Sequence, residues 1–148
     1  MFSFLRLPFL FFLLMCTQSA QAEPNFKIPP IQESMKKMYQ IQQKDFTFEG
    51  KHYRLFIAIP PKTSKKLTAL YTLDGNAQFP IAVNAVNPHK PLPLIVGIGY
   101  VSDKAYVIEE RMRDYTFPVE GAEFAKGGKA ADFLRFIQQD VKPYIEQH

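Results

Sequence analysis

Apolar residues recur at every second position through Tyr53, Leu55, Ile57 and Ile59, with Arg54 on the opposite side. A period of two predicts a half-buried β-strand. The whole stretch "DFTFEGKHYRLFIAIP" reads as two antiparallel strands joined at Glu49-Gly50. Two later runs, "LTALYTL" (Leu67–Leu73) and "LPLIVGIGY" (Leu92–Tyr100), are nearly continuous in apolar residues. Such runs suit strands covered on both faces, as in a parallel sheet. The polar turn "PPKTSKK" precedes the first run and "NPHKPLP" the second. The period then changes. Ala130, Phe133, Leu134, Ile137, Val141, Tyr144 and Ile145 are spaced as one face of an amphipathic helix, preceded by Gly127-Gly128. Pro143 falls late in it and is expected to distort the final turn. A looser helical spacing puts Met35, Met38 and Ile41 on one face of "ESMKKMYQIQQK", after the proline-rich, extended "EPNFKIPPIQ".

Two antiparallel strands followed by buried strands and amphipathic helices predict an α/β layered fold. Open sheets of this kind bind ligands at the carboxyl ends of their strands. Attention therefore falls on what ends each apolar run.

Residues 1–22 are expected to lie outside the fold. They carry one cation, Arg6, then an apolar core from Leu7 to Cys16, and close on Ala20-Gln21-Ala22. That is the pattern of a secretory signal peptide cleaved after Ala22, with an apolar core too short for a stable membrane span; the alternatives are lipidation at Cys16 and retention as an anchor. The reading places the mature protein in the periplasm. Cleavage leaves 126 of the 148 residues, enough for one small domain, and removes the single cysteine. Disulfides and cysteine redox chemistry are thereby excluded from the mature chain. Residues 23–45 are assigned to an extended and helical lead-in, and 46–148 to the α/β domain. Lys36, Lys37, Lys62, Lys65 and Lys66 are scattered through polar stretches. No basic stripe interleaved with aromatics points to nucleic acid.

The first apolar run stops at Asp74-Gly75-Asn76. Gly75 permits a sharp backbone turn. The turn is either an ordinary strand-to-loop connection or one that aims peptide N–H groups into a crevice, where they could stabilise an oxyanion. The second run stops at Gly97-Ile98-Gly99-Tyr100, where close glycines suggest tight backbone packing or a bulge; a dinucleotide fingerprint is absent. Arg111 and Arg113, beside Asp114 and Tyr115 in a polar loop, either grip a flat anionic ligand or form a surface ion pair. His52, His89 and His148 have no metal-ligand spacing. None of Ser34, Ser64 and Ser102 lies in a G-x-S-x-G elbow after a strand.

Taken together, "LYTLDGNAQF", "LIVGIGY", "RMRDYT" and "GGKAADFLRFIQQDVKPYIE" resemble, in order and from about Tyr53 to Ile145, an esterase family of the α/β-hydrolase superfamily. Within it they look most like periplasmic siderophore esterases that cleave enterobactin- and salmochelin-type trilactones. The resemblance implies the N-terminal part of an α/β-hydrolase fold, with antiparallel first strands, then parallel strands with flanking helices. It assigns the backbone N–H of Asn76, freed by Gly75, to an oxyanion hole, and Arg111 and Arg113 to the substrate wall. The implied partner is a small-molecule ester, such as a ferric catecholate siderophore, with no metal or cofactor held by the protein. The chain departs from the family in reading Thr116-Phe117-Pro118 where Thr-Pro is usual.

In that family the helix resembling Lys129–Glu146 leads to the strand and elbow bearing the nucleophilic serine, with the acid and histidine later. His148 precedes all three. The expectation is therefore a serine ester hydrolase truncated before its nucleophile elbow and inactive alone, with the edge of the Leu67–Leu73 strand unpaired. The alternatives are a non-catalytic periplasmic siderophore-binding module, or a partner completed by a second chain.

Overall fold

A computed structural model describes residues 28–61, 67–121 and 127–147. The proposed signal segment 1–22 with Cys16, together with Lys62, Ser64, Lys65, Lys66 and His148, lies outside them.

Strands β1 (Gln40–Phe48) and β2 (Lys51–Ile59) pair antiparallel over their full length, from Gln40 opposite Ile59 to Phe48 opposite Lys51. Glu49 and Gly50 both adopt positive φ, 49° and 73°. Two left-handed residues make the tight connection whose twist matches that of the flanking strands. β2 next pairs antiparallel with β4 (Leu94–Tyr100), and β4 pairs parallel with the short β3 (Ala69–Thr72). The order is β1-β2-β4-β3. Helix α2 (Gly75–Asn84) carries the chain from β3 towards β4, forming a βαβ unit. Helices α1 (Glu33–Met38), α3 (Ile108–Tyr115), α4 (Ala130–Phe136) and α5 (Lys142–Gln147) complete the described elements.

The sheet has a core on each face. Tyr53, Leu55 and Ile57 of β2, with Val96, Ile98 and Tyr100 of β4, pack under Phe133, Phe136, Val141 and Ile145. On the other face Ala58 and Ile95 meet Phe79 and Val83 of α2, and Met35 and Tyr39. β4 is thus covered on both sides, as its continuous apolar sequence requires. Tyr53 stacks on Phe136 with ring centroids 4.2 Å apart, which locks the last helix across the sheet.

Several expectations are corrected. The Met35-Met38-Ile41 helix ends at Met38; Tyr39 is already extended and Ile41 sits in β1 opposite Ala58. Cross-strand pairing with β2 outweighs a weak helical preference there, and the boundary at 45/46 falls inside β1. The Leu67–Leu73 run is not covered on both faces. β3 is an edge strand among the described residues, and Leu67, Leu70 and Leu73 are exposed, Leu70 by 45%. The Arg111–Tyr115 segment is helix α3, not a loop. The C-terminal helix contains a π-helical turn, Ile137–Val141, between α4 and α5 and just before Pro143. Its wider turn re-phases the helix, so the buried positions run Phe133, Phe136, Val141 and Ile145, while Leu134 faces solvent.

Candidate functional site

The carboxyl ends of β3 and β4 lie side by side, with Thr72 in register with Gly97. Asp74 follows β3 in the left-handed region, φ 52° and ψ 44°, and caps α2. Its side chain does not cap the helix. Instead its carbonyl accepts from the N–H groups of Ala77 and Gln78, each at 2.9 Å. The N–H groups of Gly75 and Asn76 come before these first helical bonds, among the donors that a helix start leaves without intrahelical acceptors.

Glycine at three positions lets this helix start approach the sheet. A Cβ on Gly75 would lie 2.7 Å from the Gly97 carbonyl carbon, one on Gly97 2.7 Å from the Phe79 Cβ, and one on Gly99 2.9 Å from the Asn76 backbone nitrogen. Of the two readings of Gly97-Ile98-Gly99, close backbone packing is the one realised. The Asn76 side chain then stitches the turn to β4. Its Nδ2 donates to the Tyr100 and Ser102 carbonyls at 3.0 and 2.8 Å, and its Oδ1 accepts from the Tyr100 N–H at 2.8 Å.

Helix α3 holds the turn from the other side. Arg111 Nε donates to Asp74 Oδ1 at 2.7 Å. The Tyr115 hydroxyl, one helical turn further on, accepts from the Asp74 N–H at 3.2 Å. The Arg111 guanidinium lies over the Tyr106 and Tyr115 rings, 5.3 and 5.6 Å from their centroids. It keeps about a third of its side-chain surface in solvent. Its hydrogen bond to Asp74 raises its pKa, against a smaller opposing effect of burial. Tyr106 in turn accepts from Gln78 Nε2 of α2 at 3.0 Å. Asp74, Gln78, Tyr106, Arg111 and Tyr115 thus form one wall beside the Gly75-Asn76 amides, with a permanent cation in it.

Arg113 is directed elsewhere. Its Nε and Nη2 form a fork on the Asp114 carboxylate at 2.6 and 2.8 Å, its Nη1 pairs with Glu110, and Nη2 reaches the Tyr53 hydroxyl at 3.4 Å. Asp114 is 2% exposed and Arg113 15%. Burial works against this cation, but the hydrogen bonds and charge of Asp114, aided by Tyr53 and Glu110, raise its pKa overall. Burial, followed by the charge of Asp114, raises Tyr53. Tyr100 is also raised, first by burial and then by Tyr115 and Asp114, although its hydroxyl makes no hydrogen bond of ordinary geometry.

The structure therefore brings Gly75, Asn76 and Arg111 together and sets Arg113 into a buried ion pair beyond them. Sequence reasoning missed Asp74 as the acceptor for Arg111 and missed Tyr106; it set Tyr115 beside the arginines but not its bond to the Asp74 N–H. The i,i+4 spacing of Arg111 and Tyr115 signals a shared face once the segment is read as a helix. Thr116 follows as a brace, donating to the Met112 carbonyl at 2.7 Å and accepting from the Gly128 N–H at 2.9 Å. The inserted Phe117 is 76% exposed. Among the described residues no group of three or more His, Cys, Asp or Glu side chains could hold a metal, and no helix is long and apolar enough to cross a membrane.

No protein-family profile matches the chain. Among curated proteins it is similar to the ferri-bacillibactin esterase BesA of Bacillus subtilis, 34% identical over 67% of this chain and 40% of that protein. It is also similar to the apo-salmochelin esterase of Escherichia coli, 26% identical over 90% of this chain and 48% of that protein. Among solved structures, the BES protein from Bacillus cereus superposes with a TM-score of 0.66 and 32% identity, covering 72% of this chain and 45% of that one. The chain spans less than half the length of these relatives.

Proposed function

We propose that this chain, a member of the siderophore-esterase-like family of α/β hydrolases and the N-terminal portion of that fold, carries the anion-recognition side of a siderophore ester site. The observation that carries the proposal is the convergence of an amide-presenting turn and a held cation at the carboxyl end of the sheet. Arg111 is the residue that meets the anionic, aromatic ligand, through guanidinium N–H groups other than the Nε that Asp74 occupies. The Asn76 N–H, made accessible by Gly75, donates to the oxygen that becomes negative as an ester carbonyl is attacked. Arg113 supports the wall by neutralising buried Asp114 and does not contact the ligand.

The attacking hydroxyl is not part of this reading. The sequence contains no G-x-S-x-G motif, and this reading assigns no nucleophile to the site. It assigns the chain the recognition of a siderophore ester in the periplasm. A second reading, in which another polypeptide completes the sheet, is favoured by the exposed Leu67, Leu70 and Leu73 along β3.

Calorimetric titration of the 148-residue chain with a ferric tris-catecholate tests the proposal. Saturable binding that weakens about tenfold in Arg111→Ala is expected. Equal affinity in Arg111→Ala removes the assigned contact.

A further inference from the structure

Asp74 is the one described residue other than glycine, apart from Glu49 in the β1–β2 turn, that holds a positive φ. A non-glycine residue in this region is strained and persists where its surroundings hold it. Two groups of α3 do so. Arg111 holds the carboxylate at 2.7 Å, and the Tyr115 hydroxyl takes the backbone N–H at 3.2 Å. The second contact acts on the main chain itself, one residue before Gly75 and two before Asn76. Tyr115 is well placed for this. Its ring packs against Phe133 of the core at 5.5 Å between centroids, and its hydroxyl emerges at the turn.

We propose that Tyr115 is a positioning residue: its hydroxyl oxygen fixes the left-handed Asp74 and thereby aims the Gly75 and Asn76 amides out of the helix start. The catalytic meaning of that aim rests on the oxyanion reading above, but the positioning itself does not. Tyr100 provides the internal contrast. Its hydroxyl is buried close by, near Tyr115 and Asp114, yet makes no hydrogen bond to the turn. Removing an oxygen at position 100 takes no bond from the turn itself and acts on it only through the neighbouring Tyr115, whereas removing the one at position 115 frees the Asp74 N–H.

Amide hydrogen exchange and amide chemical shifts of the full, ligand-free chain test this residue by residue. In Tyr115→Phe, exchange at the Asp74 amide is expected to rise by about fivefold to tenfold, as loss of one hydrogen bond implies. The Gly75 and Asn76 shifts move with it. Tyr100→Phe, which removes no bond to the turn, moves all three less than Tyr115→Phe does. A purely structural role would raise exchange across the core in both variants without singling out the turn. Unchanged Asp74 exchange in Tyr115→Phe, or an equal response to Tyr100→Phe, overturns the proposal. Should Tyr115→Phe not fold, the parent chain decides: the Asp74 amide must exchange more slowly than that of Gly75, and equal unprotected rates overturn it. No ligand enters the measurement, so failure to bind a catecholate sinks the siderophore reading and leaves this result standing.

Discussion

Arg113→Ala is the substitution whose cost follows most directly from the buried charges. Asp114 is 2% exposed and receives two guanidinium hydrogen bonds, at 2.6 and 2.8 Å, from Arg113. Truncating Arg113 leaves a carboxylate in the interior with no cation against it. Breaking a buried pair from one side costs roughly 3–5 kcal/mol, far more than the pair contributes over an apolar replacement. In a domain of this size that lowers the thermal midpoint by on the order of 10–20 °C. Arg111→Ala breaks a pair whose cation is a third exposed, and its cost is discounted for solvent to about 1 kcal/mol. Urea unfolding of Arg113→Met, Asp114→Leu and the double variant separates the burial penalty from the pair itself. The double variant should recover most of the stability lost in Arg113→Met. A loss below about 1 kcal/mol on breaking the pair from the Arg113 side, or strictly additive losses in the double variant, refutes the assignment of Arg113 to a buried structural pair.

Alkaline stability is set by buried phenols. Burial, with Asp114 nearby for Tyr53 and Tyr100, raises the folded-state pKa of Tyr53, Tyr100 and Tyr115. Above pH 10 the unfolded chain loses these protons while the fold keeps them, so stability is complete below pH 10 and then falls. The slope is about 1.4 kcal/mol per pH unit for each tyrosine, read by denaturant melts between pH 9 and 11. Tyr100→Phe should flatten that slope. Gly97→Ala would place a Cβ 2.7 Å from that of Phe79, forcing α2 off the sheet. A loss of roughly 1–3 kcal/mol is expected, with broadened amide signals along Gly75–Phe79; a neutral result contradicts the close-packing role.

Legibility in the sequence followed how much of each element was decided locally. The β1–β2 hairpin was readable because its period of two and its Glu49-Gly50 turn agree. β4 was readable because a strand buried on both faces has no polar side to interrupt it. Helix α2 carried little signal: Pro80 sits inside it, removes one helical donor, and its apolar residues define no clear stripe. Helix α3 reads as a loop in the sequence because its one fully buried residue is the charged Asp114. Hydrophobic periodicity cannot register a helix that docks by ion pairs and tyrosine hydroxyls. β3 misled in the opposite sense. Its apolar run implied full cover, but burial is a property of neighbouring segments, and among the described strands β3 pairs with β4 only and keeps Leu70 exposed. At the site, the strand end marked Gly75 and Asn76 as a sharp turn, and only the family resemblance gave the Asn76 N–H an oxyanion role. The separation of Arg111 from Arg113 required knowing that they lie on a helix and point to different partners.

Paramagnetic broadening of backbone amide signals by a ferric tris-catecholate locates the bound ligand directly, because the iron relaxes nearby nuclei most strongly. Broadening centred on Gly75, Asn76, Tyr106 and Arg111 is the outcome predicted. Broadening centred instead on the apolar groove of about 430 Å³ between Ile57, Leu94 and Ile145, or spread evenly over the surface, would contradict placing the ligand at the Asp74 turn.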